Sequence, residues 1–175
     1  MKSRGVTLLE LLVVVVIVSI MAALALPNLS GYISRKALNR QGDEFIALFT
    51  RVRDKAMEQC ITWRVLVWPE EQKCLGYGDT NNNSSLDPGE QQCGPYYLAD
   101  GISYGSHASV GPNKSTIPQD AVSFQNNRTS FSCMGCCNAG TIYLRSKDRS
   151  IAIRLLPSSG LVRMWEYKDS WQVVK

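Results

Sequence analysis

Residues 1–30 read MKSRGVTLLELLVVVVIVSIMAALALPNLS, and the rest of the chain is laid out around this stretch. Lys2 and Arg4 precede Gly5. From Val6 to Leu26 the only charge is Glu10 and the only hydroxyls are Thr7 and Ser19. As a helix the run spans about 31 Å, enough to cross the hydrocarbon core of a membrane. Lys2 and Arg4 are expected to hold its start on the cytoplasmic side, which places everything after Pro27 on the other side.

Three readings of this stretch compete. One is a secretory signal peptide with a small-residue cleavage site near Ala23-Leu24-Ala25. Another is a plain membrane anchor. Glu10 argues against both, because an acidic residue in a lipid-exposed span is costly and by default has a partner and a role. Nothing else in the span is expected to pair with it. The third reading therefore brings the partner from outside, most simply a neighbouring copy of the same kind of segment.

Gly5-Val6-Thr7-Leu8-Leu9-Glu10 resembles the prepilin cleavage motif of type IV pilins and type II secretion pseudopilins. The resemblance implies that a prepilin peptidase cuts between Gly5 and Val6 and that the new amine of Val6 is N-methylated. It further implies that Glu10 pairs with the amine of an adjacent subunit during filament assembly. Pro27 stands where many members carry a helix-bending proline. Val6 departs from the phenylalanine usual at its position. The implied partners are other pilins or pseudopilins, the prepilin peptidase and the inner membrane.

The chain of 175 residues has room for one membrane segment and one compact domain. Its net charge is +4, unevenly spread. Residues 28–120 carry 9 basic and 11 acidic side chains, whereas residues 121–175 carry 8 basic and 3 acidic. An acidic half and a basic tail are suited to meet between neighbouring subunits, or the tail to face a polyanion; a merely soluble surface is the commoner meaning.

Asn28 to about Gln59 reads as helix. Leu38, Phe45, Leu48, Val52 and Ala56 recur on one face, Phe49 widens it, and Arg40, Asp43, Arg51 and Asp54 lie off it. Pro27 removes a backbone donor at the join, and Gly42 is a weak point. From Ile61 the pattern turns to strands: Ile61–Trp68, Gln72–Tyr77, Tyr96–Leu98, Ala121–Gln125, Thr141–Arg145, Ile151–Leu155 and Leu161–Tyr167. Pro157-Ser158-Ser159-Gly160 is a hairpin turn between the last two, and residues 100–120 read as a long loop. One helix followed by many short strands makes an α+β domain. The expected organisation is a leader over 1–5, a transmembrane and assembly helix over 6–26, the outer half of the helix over 27–60, and a β-rich pilin-like globular domain over 61–175. The long helix is expected to pack on an antiparallel sheet.

Asp79-Thr80-Asn81-Asn82-Asn83-Ser84-Ser85-Leu86-Asp87-Pro88-Gly89-Glu90 has the oxygen spacing of an EF-hand-type loop. Asp79, Asn81, Asn83, Asp87 and Glu90 are its candidate calcium ligands. Ser84 stands where the turn glycine belongs, and neither flank reads as a helix. A metal-free polar hairpin is the competing reading, and the resemblance favours it, since H-class pseudopilins often carry a similar hairpin after a short strand.

The six cysteines are Cys60, Cys74, Cys93, Cys133, Cys136 and Cys137. All follow the apolar segment, which suits disulfides in an oxidising compartment. Cys74 and Cys93 flank the polar hairpin and are the best single pair; Cys60 would then pair within the 133–137 group. Zinc held by Cys133, Cys136, Cys137 and either Cys60 or His107 is the alternative. For catalysis the sequence offers little: His107 is the only histidine, and no G-x-S-x-G, H-E-x-x-H or P-loop occurs.

Together the cleavage motif, the helix with Arg51-Val52-Arg53-Asp54-Lys55-Ala56, the hairpin and Gly160-Leu161-Val162-Arg163 resemble minor pilins and pseudopilins of the GspH/FimT class. The expected role is a structural subunit of a type II secretion pseudopilus or type IV pilus, assembled near the tip. The rival within the class is a DNA-binding minor pilin for uptake, with Arg145, Lys147, Arg149, Arg154 and Arg163 on phosphates. Some members of the class bind DNA through G-R-x-R; here Leu161 replaces the first arginine. A membrane-tethered enzyme is the rival from another class.

Overall fold

A computed structural model describes residues 7–175, and for residues 24–30 the backbone alone. Helix α1 spans Leu8–Gln59. It starts at a capping box: the Thr7 hydroxyl accepts from the Glu10 N–H, and the Glu10 carboxylate accepts from the Thr7 N–H. The Thr7-Leu8-Leu9-Glu10 spelling is the sequence signature of that device. The helix runs on through Pro27 without a break and stops at Cys60, which takes the left-handed conformation (φ 52°, ψ 37°).

Nine strands follow: β1 Thr62–Trp68, β2 Lys73–Asp79, β3 Gln92–Tyr97, β4 Ser103–Tyr104, β5 Arg128–Phe131, β6 Gly140–Arg145, β7 Ser150–Leu156, β8 Leu161–Tyr167 and β9 Trp171–Val173. They form two sheets rather than the single one expected, in the orders β3-β2-β1-β5 and β4-β6-β7-β8-β9, with antiparallel neighbours throughout. The α+β architecture, a long helix packed on antiparallel sheet, is as expected.

The second half of α1 lies on both sheets. Leu38, Phe45, Leu48, Phe49, Val52 and Ala56 are all buried, and they meet Trp63 and Val65 of β1 with Ile151 and Ile153 of β7 in one core. Each such large side chain contributes about 1.5–3 kcal/mol relative to exposure. Phe49 is central, with the Phe45, Phe124 and Phe131 rings around it. Gly42 is a close-approach point in this packing: a Cβ there would come within 2.5 Å of Met164 Sδ and 2.9 Å of Ile151 Cδ1.

Residues 121–125 depart from the expected strand. Ala121 has φ +62°, outside the extended region, and Val122 makes only an isolated bridge to Ile142. Val122 and Phe124 alternate because both turn inward; the Phe124 ring lies over Gly140, where a Cβ would be 2.0 Å from it. The strand that pairs with β1 is β5 instead, in the register Trp63↔Phe131. The hairpin of β7 and β8 forms as expected, with Gly160 at φ +61° and its N–H on the Leu156 carbonyl.

Candidate functional site

At the N-terminal end, the large apolar side chains from Leu8 to Met21 stand 47–83 % exposed. An apolar stripe of this length on a single chain needs lipid or other protein to cover it. Among the described residues no helix is long and apolar enough to cross a membrane. The described side chains of the run end at Ala23, short of the 6–26 segment expected to cross. Gly5 and Val6, the expected cleavage and methylation positions, lie outside the described residues. Glu10 is exposed, and it does have a partner within its own chain, the Thr7 N–H at 3.4 Å. The sequence reading missed this local role, although the T-x-x-E spacing carried it.

The hairpin between β2 and β3 is held by its own hydrogen bonds. Asp79 Oδ1 accepts from the Asn83 N–H and Oδ2 from the Ser84 N–H. Asp87 Oδ2 accepts from the side-chain amides of Asn81 and Asn83, at 2.8 and 2.7 Å. Glu90 accepts from the Thr80 and Asp87 N–H groups. The positive charge is supplied by Arg64 of β1: its Nε is paired with Asp79, whose side chain has 0 % exposure, and its Nη2 donates to Asn82. Among the candidate calcium ligands, Asp79, Asn81, Asn83 and Glu90 accept from loop N–H groups, Asp87 from side-chain amides, and Asp79 is also paired with a guanidinium. Arg64 was legible only as a strand residue, because its partner comes from the neighbouring strand.

The basic side chains of the tail have different partners. Arg149 is ion-paired with Glu166 at 2.6 Å, and Glu166, 9 % exposed, also takes Arg35 of α1 at 3.0 Å. Arg145 Nε donates to Ser103 Oγ, and Lys147 is exposed in the turn before β7. Arg154 and Arg163 stand opposite each other across β7 and β8, and Arg163 lies over the Trp165 ring. Arg149, one of the five expected phosphate contacts, is thus committed to a buried carboxylate.

All six cysteines are free thiols. The pairing of Cys74 with Cys93 is not formed, and the register shows why. Cys93 stands opposite Gly76 and Cys74 opposite Tyr96, so the two are diagonal neighbours with a bulge between them. Diagonal Cβ atoms are farther apart than a disulfide allows. Among the described residues no group of three or more His, Cys, Asp or Glu is placed to hold a metal. The expected zinc set is divided: Cys136 and Cys137 donate to the Ser158 and Leu156 carbonyls, and His107 is hydrogen-bonded to Ser150.

Burial raises the Cys74 thiol from 9.0 to about 12 and raises the Tyr104 hydroxyl as well. Both groups are protonated in the folded chain over a range where the unfolded chain has already lost the proton. Their contribution is fully present below pH 9.0 and is lost as pH rises from there through about 12 for Cys74. The limiting slope is about 1.4 kcal/mol per pH unit for each group. Denaturant midpoints should hold steady from neutral pH to pH 9.0 and then fall, and Cys74→Ala should flatten the first part of the fall. An identical slope in Cys74→Ala would show that the thiol is not the source.

Residues 1–26 match the family described as the prokaryotic N-terminal methylation motif. No curated protein matches the chain. One solved structure that the chain resembles is that of the minor pseudopilin EpsH from the Type 2 Secretion System of Vibrio cholerae. It is 10 % identical at a TM-score of 0.47, over 78 % of this chain and 95 % of that one. The methylation motif of residues 1–26, carried on a long helix that packs against antiparallel sheet, supports a type IV pilin or type II secretion pseudopilin.

Proposed function

We propose that the chain is a minor pseudopilin or pilin, a structural and non-catalytic subunit of a type II secretion pseudopilus or type IV pilus that serves protein secretion or pilus biogenesis. Prepilin peptidase removes residues 1–5. The chain is held in the inner membrane by a single pass over 6–26, with its globular domain in the periplasm, and is then drawn into a filament with other pilins. The observation that carries this reading is the coincidence of the methylation motif over residues 1–26 with Glu10 on a helix whose apolar face the domain leaves uncovered. Lipid covers that face before assembly, and neighbouring helices cover it afterwards. The continuity of α1 supports the same reading, because one rigid rod joins the segment to be packed to the domain to be displayed.

Mass spectrometry of the protein recovered from the cell envelope tests the processing step. The mature chain should begin at Val6 and carry one N-methyl group. A first residue near Leu26 would mean an ordinary signal peptide, and an intact Met1 in assembled filaments would mean that cleavage is not required.

A further inference from the structure

The turn between β5 and β6 is seated on the last turns of α1. Gly135, at φ +77°, leaves no room for a side chain, since a Cβ would lie 2.9 Å from Met57 Sδ. The neighbouring turn presses on it from the other side: a Cβ on Gly160 would be 2.2 Å from the Gly135 carbonyl oxygen and 2.8 Å from Arg53 Cδ. The turn itself is closed by the Ser132 N–H on the Cys136 carbonyl and the Gly135 N–H on the Ser132 carbonyl, both at 2.9 Å. Cys60 is the residue at which α1 ends, and β1 begins at Thr62. The β1–β5 register ends at Trp63↔Phe131. Just past that pair, β5 enters the turn that holds Cys133, and β1 is preceded by Ile61 and Cys60.

The surroundings of the two thiols agree with this placement. Cys60 and Cys133 are both exposed. The Cys60 side chain, as hydrogen-bond partner and as a charge when ionised, raises the Cys133 thiol above its ordinary value. The other four thiols are placed differently. Cys74 and Cys93 are buried, and Cys136 and Cys137 face the Ser158 and Leu156 carbonyls.

We propose that Cys60 and Cys133 form a disulfide that clamps the end of α1 to the β5–β6 turn. The oxidant is another disulfide, of a small molecule or of an oxidising protein. One thiol of the pair loses its proton, and the thiolate attacks the oxidant, giving a mixed disulfide and releasing one thiol. The second thiolate then attacks the protein sulfur of that mixed disulfide. The Cys60–Cys133 bond forms, the second oxidant thiol leaves, and the two electrons lost by the protein have reduced the oxidant's S–S bond. The clamp fixes the helix end to the four-stranded sheet, so axial load on the helix reaches the domain through a covalent bond as well as through packing. It depends only on the folded domain and holds whether or not the chain assembles into a filament.

The full-length reduced protein, in detergent, is incubated with oxidised glutathione, blocked and digested with trypsin without reduction. The expected product joins the peptide Ala56–Arg64 to the peptide Thr129–Arg145. Cyanogen bromide cleavage after Met134 then assigns the link to Cys133, apart from Cys136 and Cys137. A link to Cys136 or Cys137, or a glutathione adduct on Cys60 with no internal link, overturns the proposal. The same protein should melt several degrees higher oxidised than reduced. That difference should vanish in Cys60→Ser and in Cys133→Ser and persist in Cys136→Ser. A difference that survives Cys133→Ser contradicts the pairing.

Discussion

Arg64→Ala should lower folding stability by about 3 kcal/mol, the low end of what breaking a buried ion pair costs. Asp79 keeps the Asn83 and Ser84 N–H groups in the variant, which is why the low end applies. What it loses is its guanidinium partner, at a side chain with 0 % exposure. The loss should be recovered in part by Arg64→Met combined with Asp79→Asn. That pair removes both charges, so the unpaired buried charge disappears, while the amide oxygen keeps one of the two loop N–H groups. Denaturant melts of the two single variants and the double give the coupling energy, and additivity would show that the pair does not hold the hairpin. Because Arg64 already supplies the positive charge, millimolar calcium should leave the melting temperature of the wild type unchanged. A calcium-dependent rise of several degrees would show that the loop takes the ion after all.

The long helix was legible because its apolar stripe repeats at helical spacing, and Leu38, Phe45, Leu48, Val52 and Ala56 proved buried as that spacing requires. The β7–β8 hairpin was legible because Pro157–Gly160 is unambiguous turn chemistry between two β-branched runs. Where the sequence reading failed, the deciding contact lay outside the local pattern. Val122 and Phe124 alternate like a strand, but their inward packing on Ile142 and Gly140 is a tertiary fact. Strand β3 was placed too late because Gly94-Pro95 reads as a breaker, although the strand runs through it from Gln92. Gly42 looked like a flaw in the helix and is a contact point, which only the position of Met164 reveals. The Arg64–Asp79 pair depends on strand register, which a single sequence does not specify. Cys74 and Cys93 flank the hairpin symmetrically in sequence, and the bulge between Cys74 and Gly76 breaks that symmetry in space.

Glu10→Gln should abolish most of the incorporation of the chain into filaments while leaving its membrane abundance near wild type. Glu10 has two candidate roles, and this substitution separates them. In the single chain its carboxylate caps the helix by accepting from the Thr7 N–H. Glutamine can do the same, so the capping box survives. In the filament its charge would meet the amine that cleavage creates on Val6 of a neighbouring subunit. An unpaired ammonium and an unpaired carboxylate in an apolar phase each cost several kcal/mol, and pairing them removes both penalties. Glutamine leaves the neighbour's amine without its counter-charge. Glu10→Ala removes cap and charge together and should be no more defective in assembly than Glu10→Gln. The apolar run and Gly5 are untouched in both variants, so insertion and cleavage should persist.

The most direct measurement is the ratio of sheared-filament to membrane-fraction protein for wild type, Glu10→Gln and Glu10→Ala, expressed together with the other subunits of the system. If the Glu10 charge drives assembly, that ratio falls at least tenfold in both variants, a change that corresponds to about 1.4 kcal/mol or more. Wild-type filament abundance in Glu10→Gln would show that Glu10 serves only as a helix cap, and would contradict assembly through its charge.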